Sequence, residues 1–136
     1  MPIPSRANYE RLIYGLLQDY PKQVRSSTLR LYSTSALTAK VEGDVHFRNG
    51  LLLKLREFID FRTSRILGYS YTVYRGKEKI RWYDPQPHPN NPDLASTFPH
   101  HYHEKPDIKQ NRKPAPGITF ESPNLPRLIA DCVKRG

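Results

Sequence analysis

Cysteine is nearly absent. The 136-residue chain has one, Cys132, so no internal disulfide can hold the fold, and the sequence fits a reducing cytosol. Cys132 falls at an apolar helical position and reads as a small buried side chain. Long apolar runs are missing too: none approaches the roughly 20 residues that span a bilayer, and Met1-Pro2-Ile3-Pro4-Ser5-Arg6 lacks the apolar core of a signal peptide. No membrane partner is expected. Glycine is scarce, 7 residues against 13 prolines, which points to ordered loops stiffened by proline. Acidic residues are few, with Asp+Glu 13 against Lys+Arg 22 and a net charge of +9, a balance that biases partners toward polyanions such as nucleic acid or an acidic protein. The length suits one domain, and a hydrophobic content of 37% predicts a thin core.

What is present begins with a helical face. Tyr9, Leu12, Ile13, Leu16, Leu17 and Tyr20 recur at i, i+3, i+4, i+7, i+8 and i+11, predicting a helix over about residues 8–20 with Asn8 as N-cap and a stop before Pro21. The period then changes to two. Thr28 to Tyr32 alternates weakly, and Leu37, Ala39, Val41, Val45 and Phe47 share one face of a longer strand. Asn49-Gly50 signals a hairpin turn. The returning strand carries Leu51, Leu53, Leu55, Ile59 and Phe61 on one face, with Lys54, Arg56 and Asp60 on the other. Glu57 falls on the apolar face, where a carboxylate needs a partner such as an arginine or histidine, a bulge, or an open face. A third strand places Leu67, Tyr69, Tyr71 and Val73 together. After Gly76, Lys79 to Asp84 returns with Ile80 and Trp82 on one side and Lys79, Arg81 and Tyr83 on the other.

These strands predict an α+β fold, an antiparallel β-meander of four to five strands over about residues 28–84, packed by an N-terminal and a C-terminal helix. The expected wet face carries Lys54, Arg56, Arg81 and Tyr83, and it is either an RNA-binding surface or a solvated face with cross-strand pairs. A His- and Pro-rich loop follows over about residues 85–121. Its part from Glu104 to Gly117, with Lys105, Lys109, Arg112 and Lys113, reads as a mobile polar segment within reach of a polyanion. A closing helix is expected over about 123–134, capped by Ser122 or Asn124, with Leu125, Leu128, Ile129, Cys132 and Val133 on one face.

The densest chemistry lies between Arg81 and His103, which holds four of the five histidines, the only tryptophan and five prolines. Tyr69-x-Tyr71, Arg81-x-Tyr83-Asp84, Pro87-His88 and Phe98-Pro99-His100-His101-x-His103, with Glu57 upstream, resemble the TumE family of small bacterial and archaeal toxins over about residues 37–105. The sequence departs from that pattern at Trp82, at Pro89 and in its longer tail. The resemblance implies a cytoplasmic toxin of a toxin–antitoxin pair, inhibited by a cognate antitoxin encoded beside it.

The residues themselves suit a metal-independent endoribonuclease. Such an enzyme needs a base for the 2′-hydroxyl, an acid for the leaving oxygen and a fixed cation for the phosphorane charge. His100, His101 and His103 are candidates for acid and base, Arg81 for phosphate stabilisation and Glu57 for a catalytic or orienting carboxylate. Asp84 and His88 read as structural or orienting, and Lys54, Arg56, Tyr71, Tyr83 and Lys105 as RNA-binding. This reading calls for no cofactor and no metal, and it leaves a homodimer open. The alternatives are a non-enzymatic RNA- or ribosome-binding protein, a structural or interaction protein, and a metal site built from three histidines with Asp84 or Glu57. Against metal, His100-His101-x-His103 lacks the i, i+4 spacing of a helical zinc motif.

Overall fold

Alternation and turn chemistry build the centre of the molecule. The computed structural model describes residues 2–135. Its elements are α1 (Arg6–Tyr14), α2 (Leu16–Asp19), β1 (Val24–Ser27), β2 (Arg30–Ser33), β3 (Thr38–Phe47), β4 (Leu51–Asp60), β5 (Arg65–Arg75), β6 (Glu78–Asp84), β7 (His101–Glu104), β8 (Arg112–Pro114) and α3 (Leu125–Arg135). β3 to β6 form sequential antiparallel hairpins. Gly50 and Gly76, with φ of +92° and +61°, take the left-handed conformations their turns need. Ala39, Val41, Val45, Leu53, Leu55 and Ile59 are all buried on one side of this meander.

The sheet has eight strands, more than the four to five expected. On one edge, β1 and β2 both pair with β3, and the chain crosses from one to the other at Thr28 and Leu29, over Gly43. Gly43 has φ +145°, and a Cβ there would meet the Thr28 carbonyl oxygen at 2.5 Å and the Leu29 Cα at 2.7 Å. Those atoms are backbone and cannot step aside. Gly43→Ala is therefore expected to destabilise the fold by about 3 kcal/mol, read as a lower urea midpoint at unchanged slope.

On the other edge, the histidine stretch is not the continuous loop expected over 85–121. After a 3₁₀ turn at Pro92–Thr97, His101 to Glu104 adds to the outer edge of β6 as β7, and β8 adds to β7. The prolines at 85, 87, 89, 92 and 99 all precede β7, so its amides are free to complete the ladder.

Local details depart from the periodicity for identifiable reasons. Asn8 lies inside α1, and Ser5 caps it by accepting from the Asn8 amide. The helix breaks at Gly15, which turns Leu17 out to solvent. Leu37 precedes β3 and is exposed. The β4–β5 register skips Leu67, since Phe58 pairs with Gly68 and Ile59 with Ile66, so Ile66 is buried and Leu67 is not. Val133 lies on the exposed side of α3, while Leu125, Leu128, Ile129 and Cys132 join the core.

Register also settles the faces of β6. Arg81 pairs with Val73 and Tyr83 with Tyr71, which are buried core positions, whereas Trp82 pairs with Thr72 on the opposite side. The expected wet face is corrected accordingly: Arg81 and Tyr83 turn inward, and Trp82 joins Lys54 and Arg56 on the outer face.

Candidate functional site

Pairing of β7 with β6 sets Asp84 opposite His101 and Trp82 opposite His103. Because side chains alternate along a strand, these four share one face of the sheet, and Tyr83 with Tyr102 occupy the other. On that shared face the side chains converge. His101 Nε2 lies 3.2 Å from His103 Nε2, and Asp84 reaches His103 Nε2 through Oδ2 at 3.1 Å and His101 Nε2 through Oδ1 at 3.3 Å. All three residues are buried, His101 at 1% exposure.

Neighbours hold the triangle in place. His101 Nδ1 lies 3.1 Å from the Pro99 carbonyl oxygen, which only accepts, so Nδ1 carries a proton and in the neutral ring Nε2 carries the lone pair. The Gln86 amide donates to Asp84 Oδ1 at 2.8 Å. Trp82 stacks on His103 with ring centroids 4.5 Å apart, and His88 packs edge-on against His101 at 4.9 Å. β8 sets Arg112 opposite His103. The pKa values of His88 and His103 are lowered, first by burial and then by positive neighbours that include Arg112, with Asp84 opposing.

The remaining expected residues lie elsewhere. His100 points away from the triangle: its Nδ1 is 2.6 Å from the Tyr69 hydroxyl, its ring packs near Phe120, and burial lowers its pKa. Arg81 is on the inner face, donating to the Tyr83 hydroxyl at 2.8 Å, pairing with Glu104 at 3.5 Å and lying 3.8 Å from the centroid of the Tyr102 ring. A cleft beside it is lined by Arg81, Tyr102, Lys113, Arg127 and Lys134. Tyr83 is 2% exposed and donates to Asp131.

Glu57 finds neither an arginine nor a histidine. It accepts from the hydroxyls of Tyr9 and Tyr71, each at 2.5 Å, and Asn124 donates to Tyr71 at 2.9 Å. Burial raises the Glu57 pKa, and the two tyrosine hydrogen bonds oppose that shift. The Tyr71 ring is fully buried and stacked on Tyr69, so no base can stack on it. Lys54 and Arg56 are exposed on the same face as Trp82, Lys54 being 3.8 Å from Asp44, and exposed Lys105 pairs with Glu78.

Of the expected residues, then, His101, His103, Asp84 and His88 come together. Sequence reasoning missed Trp82 and Arg112 as members of this face. The available signal was the shared period of two in Trp82-x-Asp84 and His101-x-His103, two short segments that pair only if the second is a strand.

Among the described residues no helix is long and apolar enough to cross a membrane. No curated protein matches the chain, and no solved structure matches it. The family model described as Toxin TumE matches residues 13–135, well beyond the stretch that carries the motif resemblance and inclusive of every member of the histidine face. The chain belongs to the TumE toxin family.

Proposed function

We propose that this chain is the toxin of a toxin–antitoxin pair and acts in the cytoplasm by cutting RNA at the face formed by Asp84, His101 and His103. The observation that carries the reading is the convergence of three buried polar side chains within 3.1–3.3 Å of one another at one end of a face that also presents Trp82, Lys54 and Arg56. RNA cleavage needs a group that draws a proton from the attacking oxygen, a cation near the phosphate, and a surface that holds the strand. The Nε2 of His101, in the neutral ring, offers a lone pair that takes this proton; were a cation held there by His101, His103 and Asp84 instead, it would supply a bound water of lowered pKa. Arg112 supplies a fork-shaped donor suited to phosphate. Lys54 and Arg56 give the strand a basic track across the sheet, and the chain's net charge of +9 favours its approach. The same positive surface suits an acidic segment of the antitoxin, which would block RNA by occupying it.

Induced expression of the wild-type chain in a bacterial host is expected to arrest growth and create new RNA ends. His101→Ala is expected to lower the rate of end formation by about 10²–10⁴-fold while the purified variant keeps its circular dichroism spectrum. Arrest with intact RNA would overturn cleavage in favour of a non-enzymatic RNA- or ribosome-binding toxin. New ends produced equally by the folded variant would overturn the site.

A further inference from the structure

Four polar atoms meet at the centre of the histidine face, the Nε2 atoms of His101 and His103 and the two carboxylate oxygens of Asp84. With its Nδ1–H committed to the Pro99 carbonyl, the neutral His101 ring presents a lone pair at Nε2. It faces Asp84 Oδ1 at 3.3 Å and His103 Nε2 at 3.2 Å. If His103 carries its proton on Nε2, that hydrogen serves the carboxylate or His101, and the remaining contact still sets two acceptors against each other. Electron-rich atoms held this close, on side chains almost out of water, are stabilised by a positive centre between them.

We infer that Asp84, His101 and His103 bind a divalent metal ion of the zinc class, through one carboxylate oxygen and the two Nε2 atoms, with a fourth position open. The spacings suit that occupant. Zinc–nitrogen and zinc–oxygen bonds are about 2.0–2.2 Å, and tetrahedral geometry then separates neighbouring ligand atoms by about 3.3–3.5 Å. The two Nε2 atoms stand 3.2 Å apart, and each lies against its own Asp84 oxygen, Oδ2 at 3.1 Å from His103 and Oδ1 at 3.3 Å from His101. One ligand atom from each residue lies within 4.8 Å of the others, so a turn of the carboxylate brings one oxygen to the ion. These residues form the one group of three or more His, Cys, Asp or Glu side chains with converging ligand atoms among the described residues.

The surroundings fit a metal site as well. The Pro99 carbonyl fixes the ring and tautomer of His101, the Gln86 amide orients the Asp84 carboxylate, and stacking on Trp82 holds the His103 ring. Two imidazoles and one carboxylate are a borderline donor set suited to zinc, cobalt or nickel, and not to magnesium or calcium, which prefer oxygen alone. Three protein ligands leave room for a water or a phosphate oxygen, as in catalytic and not closed structural sites. The helical spacing absent from the sequence is replaced here by strand spacing: His101 and His103 are two apart on one face, and Asp84 comes from the neighbouring strand.

Metal binding does not depend on RNA being the substrate, so the test is made without RNA. Purified full-length protein, stripped with a chelator, is titrated with zinc chloride by calorimetry and separately with cobalt(II) by visible absorption. One zinc per chain with a Kd below about 1 μM is expected, together with the intense d–d bands of tetrahedral cobalt. Asp84→Ala and His101→Ala are expected to weaken zinc at least about 100-fold, while His46→Ala, a strand residue outside the site, leaves it unchanged. Absence of zinc binding to the folded wild-type protein, a six-coordinate cobalt spectrum, or affinity unaltered in folded Asp84→Ala would each overturn the inference. The cobalt spectrum is read on the wild type, so the test stands even if a variant fails to fold.

Discussion

Glu57→Ala is expected to unfold the protein more readily by about 3–5 kcal/mol, measured by urea or thermal denaturation. The carboxylate sits inside the core of β4 and accepts from two hydroxyls, Tyr9 of α1 and Tyr71 of β5. Removing it leaves both hydroxyls buried without their acceptor, each costing about 1–3 kcal/mol, and opens a void that the surrounding Leu55, Ile59 and Tyr71 fill only in part. The same residue makes stability depend on pH. Burial raises the Glu57 pKa in the folded state above its unfolded value of about 4.3. The folded state therefore binds this proton more tightly, so the contribution is fully present below the unfolded pKa and is lost as pH rises through the raised folded value. Glu57→Gln cannot titrate, so the difference in unfolding free energy between wild type and this variant is expected to change across that window in favour of the variant. A flat difference would mean that the carboxylate is not held as the geometry requires. If instead Glu57→Ala keeps full stability and loses RNA cleavage, the carboxylate belongs to the chemistry and not to the core.

Glu57 also shows where sequence reasoning reaches its limit. A carboxylate on an apolar strand face is visible in the pattern, because alternation places it between Leu55 and Ile59. Its partners are not visible: Tyr9 is 48 residues away, and the pairing depends on how α1 docks. The four central strands were legible because long amphipathic alternation and two glycine turns act locally. β7 was not, since four residues flanked by prolines have no strand signal of their own and become a strand through the unpaired edge of β6. The clustering of histidines was plain, but their partition was not. Once His101–Glu104 is extended, period two sends His100 to Tyr69 and Phe120 on the inner side and sends His101 and His103 to Asp84 on the outer. Arg81 turns inward for a separate reason, its pairing with Val73 of β5. The distance between the expected site and the observed one thus has two sources, the unrecognised β7 for the histidines and the β5–β6 register for Arg81 and Tyr83.

Arg81→Ala tests that partition directly. The sequence assigns Arg81 to phosphate, whereas the geometry makes it a strut between β6, β7 and α3. Its guanidinium donates to Tyr83, pairs with Glu104, covers the Tyr102 ring and stands 4.0 Å from Asp131. Loss of a desolvated cation–π contact of about 2 kcal/mol and of charge-assisted bonds worth about 1.5–3 kcal/mol, reduced by the partial exposure of Glu104 and Asp131, gives an expected destabilisation of about 2–4 kcal/mol. Arg112→Ala should behave in the opposite way. Arg112 faces the histidine triangle from β8, so its removal is expected to change stability by less than about 0.5 kcal/mol and to slow RNA cleavage by about 10²-fold or more. Measuring melting and RNA end formation on both variants, with soluble protein held equal, separates the two faces of the sheet. Stable but inactive Arg81→Ala beside active Arg112→Ala would transfer the chemistry to the cleft lined by Tyr102, Lys113 and Arg127. An unstable Arg81→Ala beside a stable, inactive Arg112→Ala would keep it on the histidine face, with the inner arginine holding the strand that carries His101 and His103.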